Sequence, residues 1–208
     1  MTIAADPGDF RHVLGHYPTG VCVITAMHEG EDPTAMVVGS FTSASLDPPL
    51  IAFFPDRSSS RWQRIREARH FCVNVLAGHQ EELSRIFAKR GGERLGEVPY
   101  RLSEHGTPIL EGIVAWVDCE LFGEHDAGDH FIALAKVRAL GVENPHAPLL
   151  FHRGAYGTLS PLEGAPHGRS GCDPLHARET RVYPTRRTGG ARESVEAAAN
   201  RFHRASLG

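Results

Sequence analysis

The feature that most narrows the fold is a pair of long strand-like runs, GIVAWVDCELFGEHDAG (112–128) and DHFIALAKVRALGVE (129–143), which meet at Gly128 and Asp129. Gly-Asp suits a tight hairpin turn, so the pair predicts one extended antiparallel hairpin. Shorter candidates surround it. Residues 20–27 (GVCVITAM) are β-branched and apolar and read as a buried strand. TAMVVGSFTSASL and LIAFF form a second pair, separated by Asp47, Pro48 and Pro49, because two successive prolines cannot donate to a ladder. HFCVNVL alternates Phe71, Val73 and Val75 with Cys72, Asn74 and Leu76, the two-residue period of a strand. PLLFHRGAYGTL adds a further strand-like run.

Helical periodicity is confined to short segments. A helix capped by Asp9 and closed near Gly15 precedes the first strand. In SSSRWQRIREAR, Trp62, Ile65 and Ala68 mark one face of a helix opened by Ser58, Ser59 or Ser60. In HQEELSRIFAKR, Leu83, Ile86 and Phe87 do the same, and Gly91 and Gly92 stop the helix. Helices do not alternate with strands as βαβ units require. The order predicts a mainly β fold, a closed or nearly closed antiparallel barrel with helical insertions.

Two domain-level expectations follow from composition. Residues 1–160 hold the apolar runs and form the barrel domain. Residues 161–208 are rich in Gly, Pro and Arg, with eight arginines against five acids, and read as a largely disordered or loosely packed tail with a short helix near its end. A net charge of -3 offers no global attraction to nucleic acid or an anionic membrane. No apolar run is long enough to span a bilayer and the start lacks a signal-peptide pattern, so the expected setting is cytoplasmic. Cys22, Cys72, Cys119 and Cys172 form no CxxC or Cys/His ligand spacing, and the thirteen histidines contain no HExxH, so no metal site is expected.

No GxGxxG or GxxxxGK[ST] loop is present. PDRSSSRW offers another way to hold a phosphate: Ser58, Ser59 and Ser60 at a helix start, flanked by Arg57 and Arg61, where backbone amides point outward with partial positive charge. Taken alone, such serines are ordinary caps. GSFTSASLDPP places Ser40, Thr42, Ser43 and Ser45 around Phe41 at the end of an apolar strand. There hydroxyls and unpaired amides could meet a heteroaromatic ring, or simply face solvent. Gly128, Asp129 and His130 form a turn whose imidazole could seat a nicotinamide at a barrel rim, or merely be exposed.

In this order, PTGVCVITA, GSFTSASLDPPLIAFF, RSSSRW, FCVNVLAGHQEELSRIFA, GDHFIALAKV and PLLFHRGAYGTL resemble the flavin reductase domain family, the reductase partners of two-component flavin monooxygenases. The resemblance spans about residues 10–160 and implies an FMN-binding split barrel, a Greek-key-like antiparallel barrel. It implies that Gly39, Ser40, Phe41, Thr42, Ser43 and Ser45 line the isoalloxazine, and that Asp56, Ser58, Ser59 and Ser60 hold flavin phosphate. Phe87, Ala88, Lys89 and Arg90 then lie along the ribityl-phosphate arm. Gly128, Asp129 and His130 serve the nicotinamide side, with His130 the catalytic candidate, and Arg153 and Tyr156 close the pocket. Where the family usually has a threonine, this chain has Val37, which removes one flavin contact.

The implied activity is hydride transfer from NADH or NADPH to FMN or FAD, with reduced flavin leaving for a separate monooxygenase. The implied assembly is a homodimer, with Trp116 or the 107–122 region contributing to its interface. Two other readings share the fold: an FMN-binding electron carrier or flavin-storage protein without nicotinamide turnover, and an oxidase of the pyridoxamine-phosphate type. GDH favours the reductase over the carrier, and GDH with SxSLDPP favours it over the oxidase.

Overall fold

Ala115–Ala127 and His130–Val142 pair along their length across a two-residue turn in which Gly128 takes φ +69°, a conformation that suits glycine. In the computed structural model, which describes residues 6–28, 30, 32–89, 98–160 and 181–182, this hairpin is the longest ladder. Chain order runs α1 (Pro7–Leu14), β1 (Thr19–Gly20), β2 (Cys22–Ala26), β3 (Thr34–Val38), β4 (Thr42–Leu46) and β5 (Pro49–Phe53). Then come α2 (Ser60–Ala68), β6 (His70–Val75), α3 (Glu81–Ala88), β7 (Tyr100–Leu102) and β8 (Pro108–Leu110). The hairpin strands are β9 and β10, followed by β11 (Leu149–His152), β12 (Ala155–Thr158) and β13 (Arg181–Val182).

The main sheet is antiparallel in the order β3-β2-β6-β9-β10-β5-β4, with β13 added to β10 beyond the end of β5. One apolar cluster draws side chains from β2, β3, β5, β6, β9 and β10, so these strands must curl around a common interior. Register shifts between Leu134 and Ala135 and between Val137 and Ala139 let the long hairpin bend. Among the described residues no ladder closes the curl: β3 and β4 are the two edges, consecutive in the chain and joined through Gly39–Phe41. The result is a split barrel.

Helix α2 plugs the interior with Trp62 and Ile65, both fully buried, and Phe53 meets the indole edge-on at 5.4 Å and Phe71 at 5.6 Å. The indole N–H donates to Glu124 Oε2 at 2.7 Å, which satisfies the one polar atom of the plug. A second cluster coats the outer face of β2 and β6, where Val23, Cys72 and Leu76 pack with Phe87 of α3, Ile109 and Leu110 of β8, and Trp116. Strand β6 is thus covered on both faces, which explains why both of its side-chain sets are mostly apolar.

Several boundaries differ from expectation. The cap of α1 is Asp6, whose carboxylate accepts from Gly8 and Asp9 N–H, because Pro7 takes the first helical position. Helix α3 ends at Ala88, ahead of Gly91 and Gly92, which lie outside the described residues. The hairpin β7–β8 carries too few residues for its period to be read. Trp116 is buried in its own chain against Gly141, under the guanidinium of Arg101, so it presents little surface to a second subunit. The tail lies outside the described residues apart from β13.

Cys22, Cys72 and Cys119 are buried thiols, and burial pushes Cys22 up to about 12 and the other two well above the ordinary range. In mildly alkaline buffer these three should resist iodoacetamide in the native protein and react once it is unfolded, as peptide mapping would report. Trp62→Ala should destabilise the barrel by about 3–5 kcal/mol through the cavity it opens, measured as a lower denaturation midpoint in urea.

Candidate functional site

The three serines at the start of α2 have different duties. Ser59 is the cap: its Oγ accepts from Trp62 N–H at 3.2 Å and lies 3.7 Å from Met36 Sδ. Ser58 is turned toward Asp56, whose Oδ1 accepts from its N–H at 2.7 Å and from its hydroxyl at 2.6 Å. Ser60 is exposed at the first helical position. These residues face the end of α3, where Arg61 donates to the carbonyls of Phe87 and, at 2.7 Å, Lys89. Arg61 therefore ties the start of α2 to the end of α3, each of which also packs on β3.

Between them lies a cleft of ≈ 750 Å3, walled by Met36 and Val37 of β3, Asp56, Ser58, Ser59, Ser60, Arg61, Phe87, Ala88 and Lys89. Its volume is within the roughly 300–1,000 Å3 typical of small-molecule sites. One wall is apolar; the other carries hydroxyls, helix N-terminal amides and the Lys89 ammonium.

Val37 also borders a smaller hollow of ≈ 190 Å3, lined by Val38, Gly39, Ser84, Phe151 and Tyr156 among others. Tyr156 Oη and Ser84 Oγ are 2.9 Å apart, and Phe151 packs edge-on against the phenol ring. A Cβ on Gly39 would come within 2.9 Å of Thr19 Oγ1, so glycine is what permits this approach.

His130 lines neither hollow but is tied through the backbone to Asp56 on the larger cleft's wall. Asp56 and His130 form an antiparallel bridge, Arg57 N–H donates to Asp129 carbonyl at 3.1 Å, and Phe131 N–H donates to Pro55 carbonyl at 2.9 Å. The Arg57 side chain reinforces this link, donating to Asp126 Oδ1 at 2.7 Å and lying 4.6 Å from the Phe131 ring centre. His130 Nδ1 donates to the Asp129 carboxylate at 2.7 Å, since a carboxylate can only accept. That hydrogen bond, followed by the imidazole's charge, holds the Asp129 carboxyl below its ordinary range.

Other candidates lie apart from these hollows. Ser40 Oγ accepts from Phe54 N–H at 2.9 Å, and Phe41 packs against the barrel core. Thr42, Ser43 and Ser45 belong to edge strand β4, which is mostly exposed and bulged between Ser43 and Ser45, and line neither hollow. Arg153 takes φ +51° in the β11–β12 turn, and its N–H donates to Gly15 carbonyl at 3.0 Å, tying that turn to α1. Its residue lines neither hollow. Arg90 lies outside the described residues. Sequence reasoning missed Ser84, whose signal was a hydroxyl on the apolar stripe of α3, and the structural use of Arg61, which has no sequence signal.

Comparison with known proteins agrees with this architecture. The family described as flavin reductase like domain matches residues 14–160, well over half of the chain. A flavin reductase from Pseudomonas putida is 52% identical over 159 residues, covering 76% of this chain and 94% of that protein. A solved homologue described as nitrilotriacetate monooxygenase component B, from Mycobacterium thermoresistibile, is 39% identical with a TM-score of 0.73, over 79% of this chain and 93% of that one. The NADH:FAD oxidoreductase SgcE6 of Streptomyces globisporus, solved with NAD and FAD fragments, is 32% identical with a TM-score of 0.70, over 77% and 98% of the two chains. The chain belongs to the flavin reductase like domain family.

Proposed function

We propose that this chain is an NAD(P)H-dependent flavin reductase that supplies reduced FMN or FAD to a separate flavin-dependent monooxygenase. The observation that carries the reading is the cleft at the meeting of β3, α2 and α3, with His130 bridged by main chain to Asp56 on its wall. When bound, flavin offers N5 as acceptor for the hydride that leaves C4 of the reduced nicotinamide.

The chain's own residues bind and orient. The first turn of α2, with the Ser60 hydroxyl and Lys89, suits a phosphate. Met36, Val37 and Phe87 offer an apolar wall for an uncharged ring system, and Gly39 and Ser40 continue that strand end. No group of extreme basicity is required, because proximity and alignment of two rings carry most of the rate. His130, held in one tautomer by Asp129, orients the nicotinamide carboxamide through Nε2. Tyr156 closes the neighbouring hollow, which shares Val37 with the cleft.

The catalytic unit is residues 1–160, with 161–208 an accessory tail, and the nicotinamide pool sets the reaction in the cytoplasm. We infer a homodimer. The exposed apolar residues Phe10, Val13, Leu14 and Tyr17 on and just after α1 are a better candidate contact than Trp116.

Mixing flavin-loaded protein with NADH or NADPH under anaerobic stopped flow should bleach the flavin absorbance. Bound flavin that neither nicotinamide bleaches would instead identify a carrier. His130→Ala should raise the KM for the nicotinamide about tenfold or more while flavin affinity holds, the size expected for one orienting hydrogen bond to a charged or polar partner. In the same variant the Asp129 carboxyl should titrate at higher pH than in the parent, as carbon-detected NMR would report, because the hydrogen bond that depresses it is gone. The sign follows from linkage: the bond's contribution is present above the ordinary aspartate range and is lost as pH falls through the depressed value.

A further inference from the structure

Two histidines far apart in the chain face each other across a short irregular ladder. Beyond the end of β6, Leu149 N–H donates to Leu76 carbonyl at 2.8 Å, Ala77 and Pro148 form an antiparallel bridge, and Gly78 N–H donates to Ala147 carbonyl at 2.8 Å. Continued by one residue, that register sets His79 opposite His146, and their rings meet edge-on with centres 5.4 Å apart and planes at 88°. Both segments are also pinned from the side. Gln80 Oε1 accepts from Ala77 N–H at 3.0 Å and its Nε2 donates to Glu111 carbonyl at 2.9 Å. Asn144 Oδ1 accepts from His146 N–H at 2.9 Å and its Nδ2 donates to Gly112 carbonyl at 3.2 Å.

We propose that His79 and His146 form a two-imidazole chelate for a divalent transition-metal ion of the Zn2+, Ni2+ or Cu2+ class, the ions imidazole suits best. Among the described residues neither ring makes a hydrogen bond or an ion pair, so the ring nitrogens are available. With each nitrogen about 2.0–2.1 Å from a tetrahedral ion, two imidazole centres lie roughly 5 Å apart, close to the spacing already present. Closing the chelate therefore asks for rotation of the rings and leaves the backbone in place. Among the described residues no third histidine, cysteine or carboxylate joins the pair, so water completes the coordination sphere and the ion exchanges readily. The bound ion staples the entry of α3 to the entry of β11, the elements that give Ser84 and Phe151 to the smaller hollow. The other edge-on pair, His12 and His16 at 5.0 Å, lies on and just after α1, and His16 Nδ1 already donates to the His12 carbonyl at 2.9 Å. That pair is the background a test has to separate.

Substoichiometric Cu2+ added to the isotope-labelled full chain should bleach the amide resonances of Gly78, His79, Gln80, His146 and Ala147 first, with those around His12 and His16 fading later. In calorimetry, Zn2+ should bind about tenfold or more weakly to His79→Gln and to His146→Gln, because either change leaves a single imidazole, and within about twofold of the parent to His12→Gln. Bleaching confined to the α1 histidines, or spread evenly over all histidines, would overturn the proposal. So would parent-like Zn2+ affinity in either the His79 or the His146 variant, or a parent that takes up neither ion. Both side chains are exposed, so the variants keep the fold, and the copper measurement needs no variant at all.

Discussion

The position of α2 depends on one side chain. Trp62 has to fill the interior of a barrel whose strands alone leave space there, and it has to satisfy an indole N–H in doing so. Glu124 answers the second requirement and also accepts from Arg66 at 3.2 Å, so one carboxylate holds two points of the helix to the β9–β10 hairpin. With the helix so held, its first turn and the loop before it have little freedom. Ser59 caps Trp62 itself, and residues 55–57 lock onto the hairpin's turn. Core packing and the geometry of the candidate site are therefore the same fact viewed from two ends of one helix.

Much of this was legible without coordinates, for physical reasons. The hairpin was readable because two long strand-like runs meet at Gly128 and Asp129, a pair that suits a tight turn. Helix α2 was readable because Trp62 and Ile65 are the apolar residues of an otherwise polar segment. Strand β6 was readable since both its faces are buried and its two side-chain sets are both apolar, with Asn74 the exception. Asn74 lies buried against the β7–β8 hairpin, its Oδ1 accepting from Leu110 N–H at 2.9 Å. That role is tertiary, and nothing near residue 74 in the sequence announces it.

The site was less legible. Serines and arginines are versatile, and their use depends on partners distant in the chain. Ser58, Ser59 and Ser60 look equivalent in sequence, yet the fold assigns one to Asp56, one to the helix cap and one to the exposed first turn. Arg61 reads as a free cation beside a phosphate site and instead bonds to main-chain carbonyls 26 and 28 residues on. The hydroxyls of β4 follow β3 in the chain, but their strand pairs with β5, and Thr42, Ser43 and Ser45 line neither hollow.

The break between β3 and β4 has a mechanical meaning. A hoop cut at one place flexes most easily at the cut, because deformation there breaks no rung of the ladder. In this molecule the cut falls between β3 and β4, and β3 is the strand that supplies Met36 and Val37 to the larger cleft and Val37 and Val38 to the smaller hollow. The wall beside the cut is thus the wall a guest molecule would press against. The remaining circumference is laddered from β2 through β5.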